Sequence, residues 1–234
     1  MINICMLVFK AKKKKLITLC ITNFNKEKFL DRAIRSCEAQ LEQNFIIEVI
    51  LVNDGSKNFK KKDYFLEYPN IKILDCKINR GVSYASNLAL NSTNSDYFMR
   101  VDGDDYLSIR ASLILTTFLE NNKEYPFVYG DILKIERKKL DRIIKRDKLN
   151  NLLEHGAGIM FRTKILKKIK GYNSNLKNCE DYDLVARIIK KFGHGLYLPF
   201  SYYKYYKTNM THLTNLRSRL KSFKKIKKKY EKYL

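Results

Sequence analysis

The sequence predicts an α/β fold: a mostly parallel sheet flanked by helices. Short apolar runs rich in β-branched residues alternate with stretches whose apolar residues recur every three or four positions. The links between them are short, as is typical of strand–helix–strand units. No internal repeat and no Ser/Gly-rich linker interrupts this pattern, so we expect one continuous domain.

The first half contains four predicted strands, which are separated by predicted helices. An amphipathic helix over 26–42 follows the first strand, because Phe29, Ala33 and Cys37 fall on one helical face. Asn53-Asp54-Gly55-Ser56 is a strong turn signal that ends the second strand. The predicted strands are 16–21, 46–52, 71–74 and 97–101, and the later helices are 58–67, which Pro69 ends, and one opened by Asn79-Arg80-Gly81.

The second half is less regular, and it ends in a basic helix. Its predicted elements are a helix over 109–121, a strand over 126–135 that pairs with 143–144, a small-residue loop entering a strand over 156–161, helices over 164–169 and 181–192, an aromatic strand over 196–206, and a basic helix over 218–234. We therefore divide the chain into a leader (1–15), a body with two halves (16–105 and 106–212) and a basic C-terminal helix (213–234).

An acidic turn follows the fourth strand, where Asp102, Asp104 and Asp105 lie within four residues around Gly103. Carboxylates this close repel one another unless a cation neutralises them, and their oxygens suit Mg²⁺ or Mn²⁺. The alternative is an ordinary solvated turn. Thr22 and Asp54 also come at the ends of strands, and in parallel sheets ligands bind beyond the carboxyl ends. We therefore expect these turns to form one crevice.

The net charge of +23, from 47 Lys and Arg against 24 Asp and Glu, indicates an anionic partner or compositional drift. Five cysteines without CxxC spacing indicate a reducing, cytoplasmic setting. No apolar stretch approaches the ~20 residues of a membrane-spanning helix.

Five motifs occur in an order and at intervals that resemble the family 2 glycosyltransferases of the GT-A fold. The resemblance covers about 16–212. The motifs are Ile21-Thr22-Asn23-Phe24-Asn25, Val52-Asn53-Asp54-Gly55-Ser56, Asn79-Arg80-Gly81-Val82-Ser83, Asp102-Gly103-Asp104-Asp105 and Glu180-Asp181-Tyr182-Asp183-Leu184.

The resemblance implies a nucleoside-diphosphate sugar as donor, with UDP favoured, and Mn²⁺ or Mg²⁺ as cofactor. Asp102 would face the ribose, Asp104 would bind the metal with Asp102 near it, and Asp105 would support them. The remaining expected donor-binding residues are Thr22, Phe24 and Asp54 at the base, Arg80 near the base or phosphates, and Asn25.

The resemblance also implies that Glu180 and Asp181 are the acidic pair of catalysis. Asp181 would be the general base that takes the proton of an acceptor hydroxyl, and the anomeric centre would invert. The alternative is that both are acids favoured by a helix N-terminus. The implied acceptor is a cell-surface glycan or a lipid-linked glycan.

The sequence departs from the family near its end. Lys204 and Tyr206 stand where relatives often carry Arg and His, and His212 could replace that His only if the loop folds back. His155 precedes a loop that resembles the family's acceptor-side loop. The chain lacks the Gln-x-x-Arg-Trp motif of processive members, so we expect single additions.

The basic C-terminal helix predicts either contact with an anionic membrane or packing of its apolar stripe on the body. Rival functions are nucleic-acid binding, nucleotidyl transfer and a non-catalytic relative of the same fold. No nucleic-acid-binding motif occurs, and Thr22-Asn23-Phe24-Asn25 is not a Gly-rich phosphate loop. We therefore expect no nucleic-acid partner.

Overall fold

The computed structural model describes residues 14–136, 141–147, 156–207 and 216–234. Strands and helices alternate as predicted. The strands are β1 (Lys15–Asn23), β2 (Phe45–Asp54), β3 (Lys72–Cys76), β4 (Tyr97–Asp102), β5 (Tyr106–Leu107), β6 (Phe127–Glu136), β7 (Arg142–Ile144), β8 (Met160–Arg162) and β9 (Leu196–Lys207). The helices are α1 (Glu27–Glu38), α2 (Lys61–Glu67), α3 (Val82–Asn91), α4 (Ala111–Asn121), α5 (Thr163–Lys168), α6 (Glu180–Phe192) and α7 (Leu216–Tyr230), followed by a short 3₁₀ turn, Glu231–Tyr233.

Within the described parts of the chain, the strands form one mixed sheet of nine strands in the order β3-β2-β1-β4-β8-β6-β9-β5, with β7 paired to β6. The four strands of the first half are parallel, and β8 joins them to the second half by antiparallel pairs with β4 and β6. β7 pairs with β6 as the sequence predicts. The predicted mostly parallel α/β sheet is thereby confirmed, with antiparallel pairs confined to contacts of the second half.

The apolar runs of β1 and β2 are buried on both faces of the sheet. Ile17 and Leu19 point into one core with α1 and α4, whereas Cys20 points into a second core with α3, α6 and α7. Because successive side chains of a strand alternate between faces, a strand covered on both faces needs a continuous apolar run. This is why these segments are almost continuously apolar, and their exceptions, Thr18 and Glu48, are hydrogen-bonded to each other at 2.8 Å.

Helix α1 ends at Glu38, four residues before the predicted end. The Gln40 side-chain amide donates to the carbonyl oxygens of Ser36 (2.8 Å) and Ser108 (2.9 Å). One of these carbonyls is near the open end of the helix, where backbone acceptors lack helical partners. The glutamine therefore stops the helix and joins it to the loop before α4.

Helix α7 packs its apolar stripe against α6. Ile226 and Tyr230 are buried in the second core, and the Phe223 ring meets Tyr182 edge-on at 4.9 Å. The structure shows the packing on the body that was one of the two predictions for this basic helix, and contact with a membrane stays a prediction. Among the described residues, no helix is both long and apolar enough to cross a bilayer.

Candidate active site

The carboxyl ends of β1, β2 and β4 lie side by side, as predicted. Thr22 is in register with Val52 on one side and with Asp102 on the other. Its hydroxyl lies 3.5 Å from Asp102 Oδ1. The Gly103 amide donates to the carbonyl of Thr22 at 2.9 Å, so the acidic turn folds back over the end of β1.

Arg100 connects this strand edge to helix α6. Its two terminal nitrogens donate to the two carboxylate oxygens of Asp181, each at 3.0 Å. Its Nε lies 3.1 Å from Asp102 Oδ1, and NH1 lies 3.9 Å from Glu180 Oε1. The arginine side chain is only 4% exposed. A single buried guanidinium thus holds the donor-side carboxylate and the acidic pair of α6 together.

Glu180 and Asp181 form the first turn of α6 and are mostly buried. Burial and the neighbouring Asp181 carboxylate raise the pKa of Glu180 to about 7. Burial also raises the pKa of Asp181, while the charge of Arg100 opposes that rise. A carboxylate with a raised pKa is a stronger proton acceptor, which suits a general base near neutral pH.

Gly156 lies against the side chain of Asp181. A Cβ atom at this glycine would lie 2.1 Å from Asp181 Cβ, which is too close for any side chain. The loop backbone can approach the carboxylate only because residue 156 has no side chain. The small-residue loop read from the sequence is therefore one wall of the acidic site.

Asp104 has a cation of the chain as its partner. Lys26 Nζ lies 2.6 Å from Asp104 Oδ2, and Arg32 donates to the Asp104 backbone oxygen at 2.6 Å. Burial raises the pKa of Asp104, and the hydrogen bond from Lys26 counteracts that rise. The carboxylate is 8% exposed, so its negative charge depends on a nearby cation.

Asp105 faces away from this crevice into the body. Tyr203 donates its hydroxyl to Asp105 Oδ2 (2.7 Å), and the Tyr206 amide donates to Oδ1 (2.8 Å). Burial raises the pKa of Asp105 well above its usual range. The Tyr206 ring lies beneath the guanidinium of Arg32, 4.4 Å from the ring centre. The residue at the family's histidine position thus anchors β9 to the acidic turn.

Asp54 holds the loop that opens α3. Its carboxylate accepts hydrogen bonds from the Asn79 side chain (2.8 Å) and from the backbone amides of Arg80 (2.9 Å) and Gly81 (2.8 Å). The side chain of Arg80 lies over the Tyr84 ring at 4.8 Å. This acid is therefore engaged by the chain itself and shapes the crevice wall.

Phe24 and Asn25 follow directly after β1, and both are half-buried. Asn25 adopts a left-handed backbone conformation (φ 54°), and its backbone amide donates to the hydroxyl of Ser56 at 2.8 Å. The first turn is thereby fixed to the turn that ends β2. Two further candidates, His155 and His212, lie outside the described residues.

Oxygen ligands for a divalent metal are available at the acidic turn. Among the described residues, no group of three or more His, Cys, Asp or Glu side chains is gathered as a metal cage. Mg²⁺ at a nucleotide needs only one or two carboxylates, because substrate phosphates and water complete its shell. Asp102 and Asp104 offer that number of carboxylates, and Lys26 is the present partner of Asp104.

The family model described as Glycosyl transferase family 2 matches residues 18–170. The chain belongs to glycosyltransferase family 2. The matched range contains the four motifs of the strand edge and ends before α6. Arg100 lies inside the matched range and Asp181 lies outside it, so their pairing is a finding of the structure.

Two curated proteins named for teichoic acid synthesis are similar to this chain. The teichoic acid poly(glycerol phosphate) polymerase of Staphylococcus epidermidis is 28% identical over 191 residues, which cover 74% of this chain and 26% of that protein. The minor teichoic acid biosynthesis protein GgaB of Bacillus subtilis is 31% identical over 188 residues, covering 73% of this chain and 21% of that protein. The chain spans about a quarter of the length of these relatives.

Solved structures confirm the GT-A fold of this family 2 member. S. aureus TarS 1–349 in complex with UDP superposes with a TM-score of 0.70 at 18% identity, covering 82% of this chain and 60% of that chain. The mannosyltransferase PcManGT from Pyrobaculum calidifontis, in complex with GDP-Man and Mn²⁺, superposes with a TM-score of 0.65 at 14% identity. The match covers 86% of this chain and 59% of that chain. Because one neighbour holds UDP and the other GDP-Man, the shared fold alone does not select the base.

Three site residues carried no role in the sequence analysis: Lys26, Arg32 and Arg100. A signal existed for Arg100, because it is a charged residue inside the apolar run 97–101. Charged residues in buried strands are rare unless a partner neutralises them. Lys26 and Arg32 lie in an amphipathic helix, where their charges look like those of an ordinary polar face.

Proposed function

We propose that this chain transfers one sugar from a UDP-sugar to a hydroxyl group of a cell-surface glycan, with inversion at the anomeric carbon. The observation that carries the proposal is the bidentate contact of Arg100 with Asp181, made by an arginine that also contacts Asp102. This contact supports the proposal because a single displacement would need a base close to the donor, and Arg100 links Asp181 to Asp102 of the acidic turn.

The donor would bind across the carboxyl ends of β1, β2 and β4. Thr22, Phe24, Asn25 and Asp54 would surround the base, and Arg80 would lie near the base or the phosphates. The contacts of Asp54 with the 79–81 loop support this placement, because they hold the loop against the crevice. Asp102 would face the ribose.

Asp104, with Asp102, would hold Mn²⁺ or Mg²⁺ against the diphosphate. When bound, such a metal neutralises charge that develops on the departing nucleoside diphosphate. Lys26 lies on the same carboxylate, so it would have to share Asp104 with the metal.

Asp181 would receive the acceptor proton. The acceptor oxygen would bond to the anomeric carbon as the bond from that carbon to the diphosphate oxygen breaks. Each carboxylate oxygen has two lone pairs, so the two bonds from Arg100 leave room for the acceptor hydroxyl. Arg100 fixes the plane of the carboxylate, and Glu180 beside it favours proton uptake by adding negative charge.

The acceptor class rests on the relatives, which are named for teichoic acid synthesis. Because this chain spans only a part of their length, their full activities are not carried over. We propose a glycan or lipid-linked glycan with a free hydroxyl as the acceptor, and a single addition per binding event.

Calorimetric titration with UDP, GDP and CDP, each with Mn²⁺, tests the donor. We expect UDP to bind most tightly, and we expect release of UDP from a UDP-sugar to require the metal. Preferential binding of GDP would refute the base assignment and leave the family intact. Failure of all three nucleotides to bind would refute the donor site itself.

A further inference from the structure

A second concave site lies at the other end of α6 from Asp181. It is a cavity of about 560 Å³, and α5, α6 and α7 all end beside it. It is largely open to solvent. We call it the basic pocket, and it is lined by Lys168, Ile169, Lys170, Arg187, Lys190, Lys191, Lys229 and Tyr230.

Arg187 has a structural role in this pocket. Its Nε lies 2.6 Å from Asp183 Oδ2, and its terminal nitrogens donate to the carbonyls of Ile169 (2.9 Å) and Gly171 (2.8 Å). These bonds satisfy its charge and fix the end of α5 against α6. The arginine therefore builds the wall of the pocket rather than offering free donors to a ligand.

The five lysines of the basic pocket are different. All five are exposed, and within the described parts of the chain none of them is ion-paired with a carboxylate. The carboxyl ends of three helices favour nearby cations, but their combined partial charge is only about −1.5. Five ammonium groups exceed that charge, so the pocket keeps a net positive charge.

The inner surface of the pocket is apolar. Ile169 and the buried ring of Tyr230 form part of it, and lysine methylene chains add to it. An apolar interior below a cationic rim suits an amphiphile better than a nucleic acid, whose backbone needs an extended groove. The exposed lysines of α7 continue the positive surface beyond the rim: Lys221, Lys224, Lys225, Lys227 and Lys228.

We propose that the basic pocket receives the phosphate headgroup of an anionic phospholipid and so holds the chain on a membrane surface. Clustered lysines on an amphipathic helix are the usual means of attraction to anionic lipids. Ile226 and Tyr230 of the apolar stripe of α7 are buried in the second core, whereas Leu220 is exposed, so the proposed contact uses mainly the lysines and the pocket. This inference does not rest on the proposed transfer reaction.

Vesicle co-sedimentation of the full chain tests the proposal. We expect binding to vesicles that contain phosphatidylglycerol and none to vesicles of phosphatidylcholine alone, at about 0.15 M salt. A triple variant carries Lys168→Gln, Lys191→Gln and Lys229→Gln. It should bind these vesicles about 100-fold more weakly, because each lysine contributes about five-fold in affinity.

The matched control is Lys60→Gln, Lys61→Gln and Lys62→Gln. These lysines are exposed at the start of α2, which packs into the first core on the opposite face of the sheet. The control removes the same charge at a site away from the pocket. Its affinity for the vesicles should therefore fall at most a few-fold. Equal losses in the two variants would show that only net charge matters, and they would overturn the pocket.

Two further outcomes would overturn the choice of ligand. Displacement of the chain from vesicles by millimolar glycerol phosphate would indicate a site for a soluble phosphate. Binding of single-stranded RNA that is lost in the pocket variant, without any vesicle binding, would indicate a nucleic-acid site. UDP binding of both variants is measured alongside and should match the parent, which shows that they fold and separates this proposal from the donor site.

Discussion

Arg100 and Asp181 face each other through two parallel hydrogen bonds of 3.0 Å, although 81 positions separate them in the chain. The fork geometry of a guanidinium matches both oxygens of a carboxylate, so the pair fixes orientation as well as charge. A general base needs such a fixed orientation, because small displacements of reacting groups reduce rates strongly.

Arg100→Lys keeps the charge at this position and removes the bidentate geometry. We expect the transfer rate to fall by about 10²-fold, because the Asp181 carboxylate loses its fixed plane. Affinity for UDP with Mn²⁺ should fall less, since Asp102 loses only one of its contacts. Single-turnover rates and calorimetry on the same preparation measure the two effects.

Arg162→Lys is the matched control for this experiment. Arg162 is also buried, and it donates to the carbonyls of Tyr125 (2.9 Å) and Leu119 (2.7 Å), away from the acidic turn. Both variants should unfold more easily, but only Arg100→Lys should lose turnover out of proportion. Equal losses of rate in the two would mean that Arg100 acts through stability alone.

The rate of transfer should depend on pH near neutrality. Burial and Asp181 raise the pKa of Glu180 to about 7, and burial raises that of Asp181, so the pair takes up a proton as the pH falls. A base must be unprotonated, so the rate should decline as the pH falls through the raised pKa of Asp181. Glu180→Gln removes the neighbouring charge and should move this decline to lower pH by about one unit.

Initial rates at saturating donor, measured across pH at constant ionic strength, check this expectation. A decline that stays at the parent's pH in Glu180→Gln would show that Glu180 does not tune the base. Loss of transfer at every pH, with UDP binding intact, would instead make Glu180 the base.

The strand edge was predictable because its signals are local. Apolar runs, a turn at Asn53–Ser56 and the acidic turn are all read within a few residues, and parallel pairing then brings their ends together. The partner of Arg100 was not predictable in this way. Its buried position demanded acceptors for the guanidinium, but the sequence does not say which distant groups supply them.

The sequence also did not reveal that groups of the chain itself occupy the carboxylates that were predicted to bind a ligand. Asp54 looked free to meet a ligand, yet three donors from the 79–81 loop hold it. Asp104 looked like an open metal ligand, yet Lys26, which directly precedes α1 and lies 78 positions away in the chain, is bound to it. Such contacts depend on how α1 and the loop pack above the sheet, which periodicity does not specify.

Lys26→Met should strengthen metal binding in the absence of donor. The lysine ammonium and a divalent cation compete for the Asp104 carboxylate, so removing it should lower the Kd for Mn²⁺ by about tenfold, or 1.4 kcal/mol. Lys28→Met is the control: Lys28 is an exposed lysine in the first turn of α1, two positions after Lys26, and its loss should leave the Kd unchanged. Electron paramagnetic resonance of free Mn²⁺ measures both.

The unfolding temperature gives a second readout of the same competition. Without metal, Lys26→Met leaves Asp104 buried and unpaired and should unfold more easily than the parent. Added Mn²⁺ should therefore raise its unfolding temperature more than it raises that of the parent. Identical Mn²⁺ affinities for parent and variant would refute the sharing of Asp104.

Asp104→Asn and Asp181→Asn should fail in different ways. Asp104→Asn keeps the shape but removes a charged oxygen from the diphosphate side, so metal-dependent UDP affinity should weaken. Asp181→Asn should leave that affinity near the parent's, because this residue faces the acceptor. The turnover rate of Asp181→Asn should instead drop by about 10²–10⁴-fold, the usual size of a general-base contribution.

Measuring UDP affinity with Mn²⁺ and transfer rate on both variants decides between the roles. Near-parental transfer by Asp181→Asn would exclude it as the base. Glu180 would then be the candidate, since Asp183 is buried and held by Arg187 at 2.6 Å. Undiminished UDP–Mn²⁺ affinity in Asp104→Asn would remove the acidic turn from the metal site, and Lys26 would then be its permanent counter-ion.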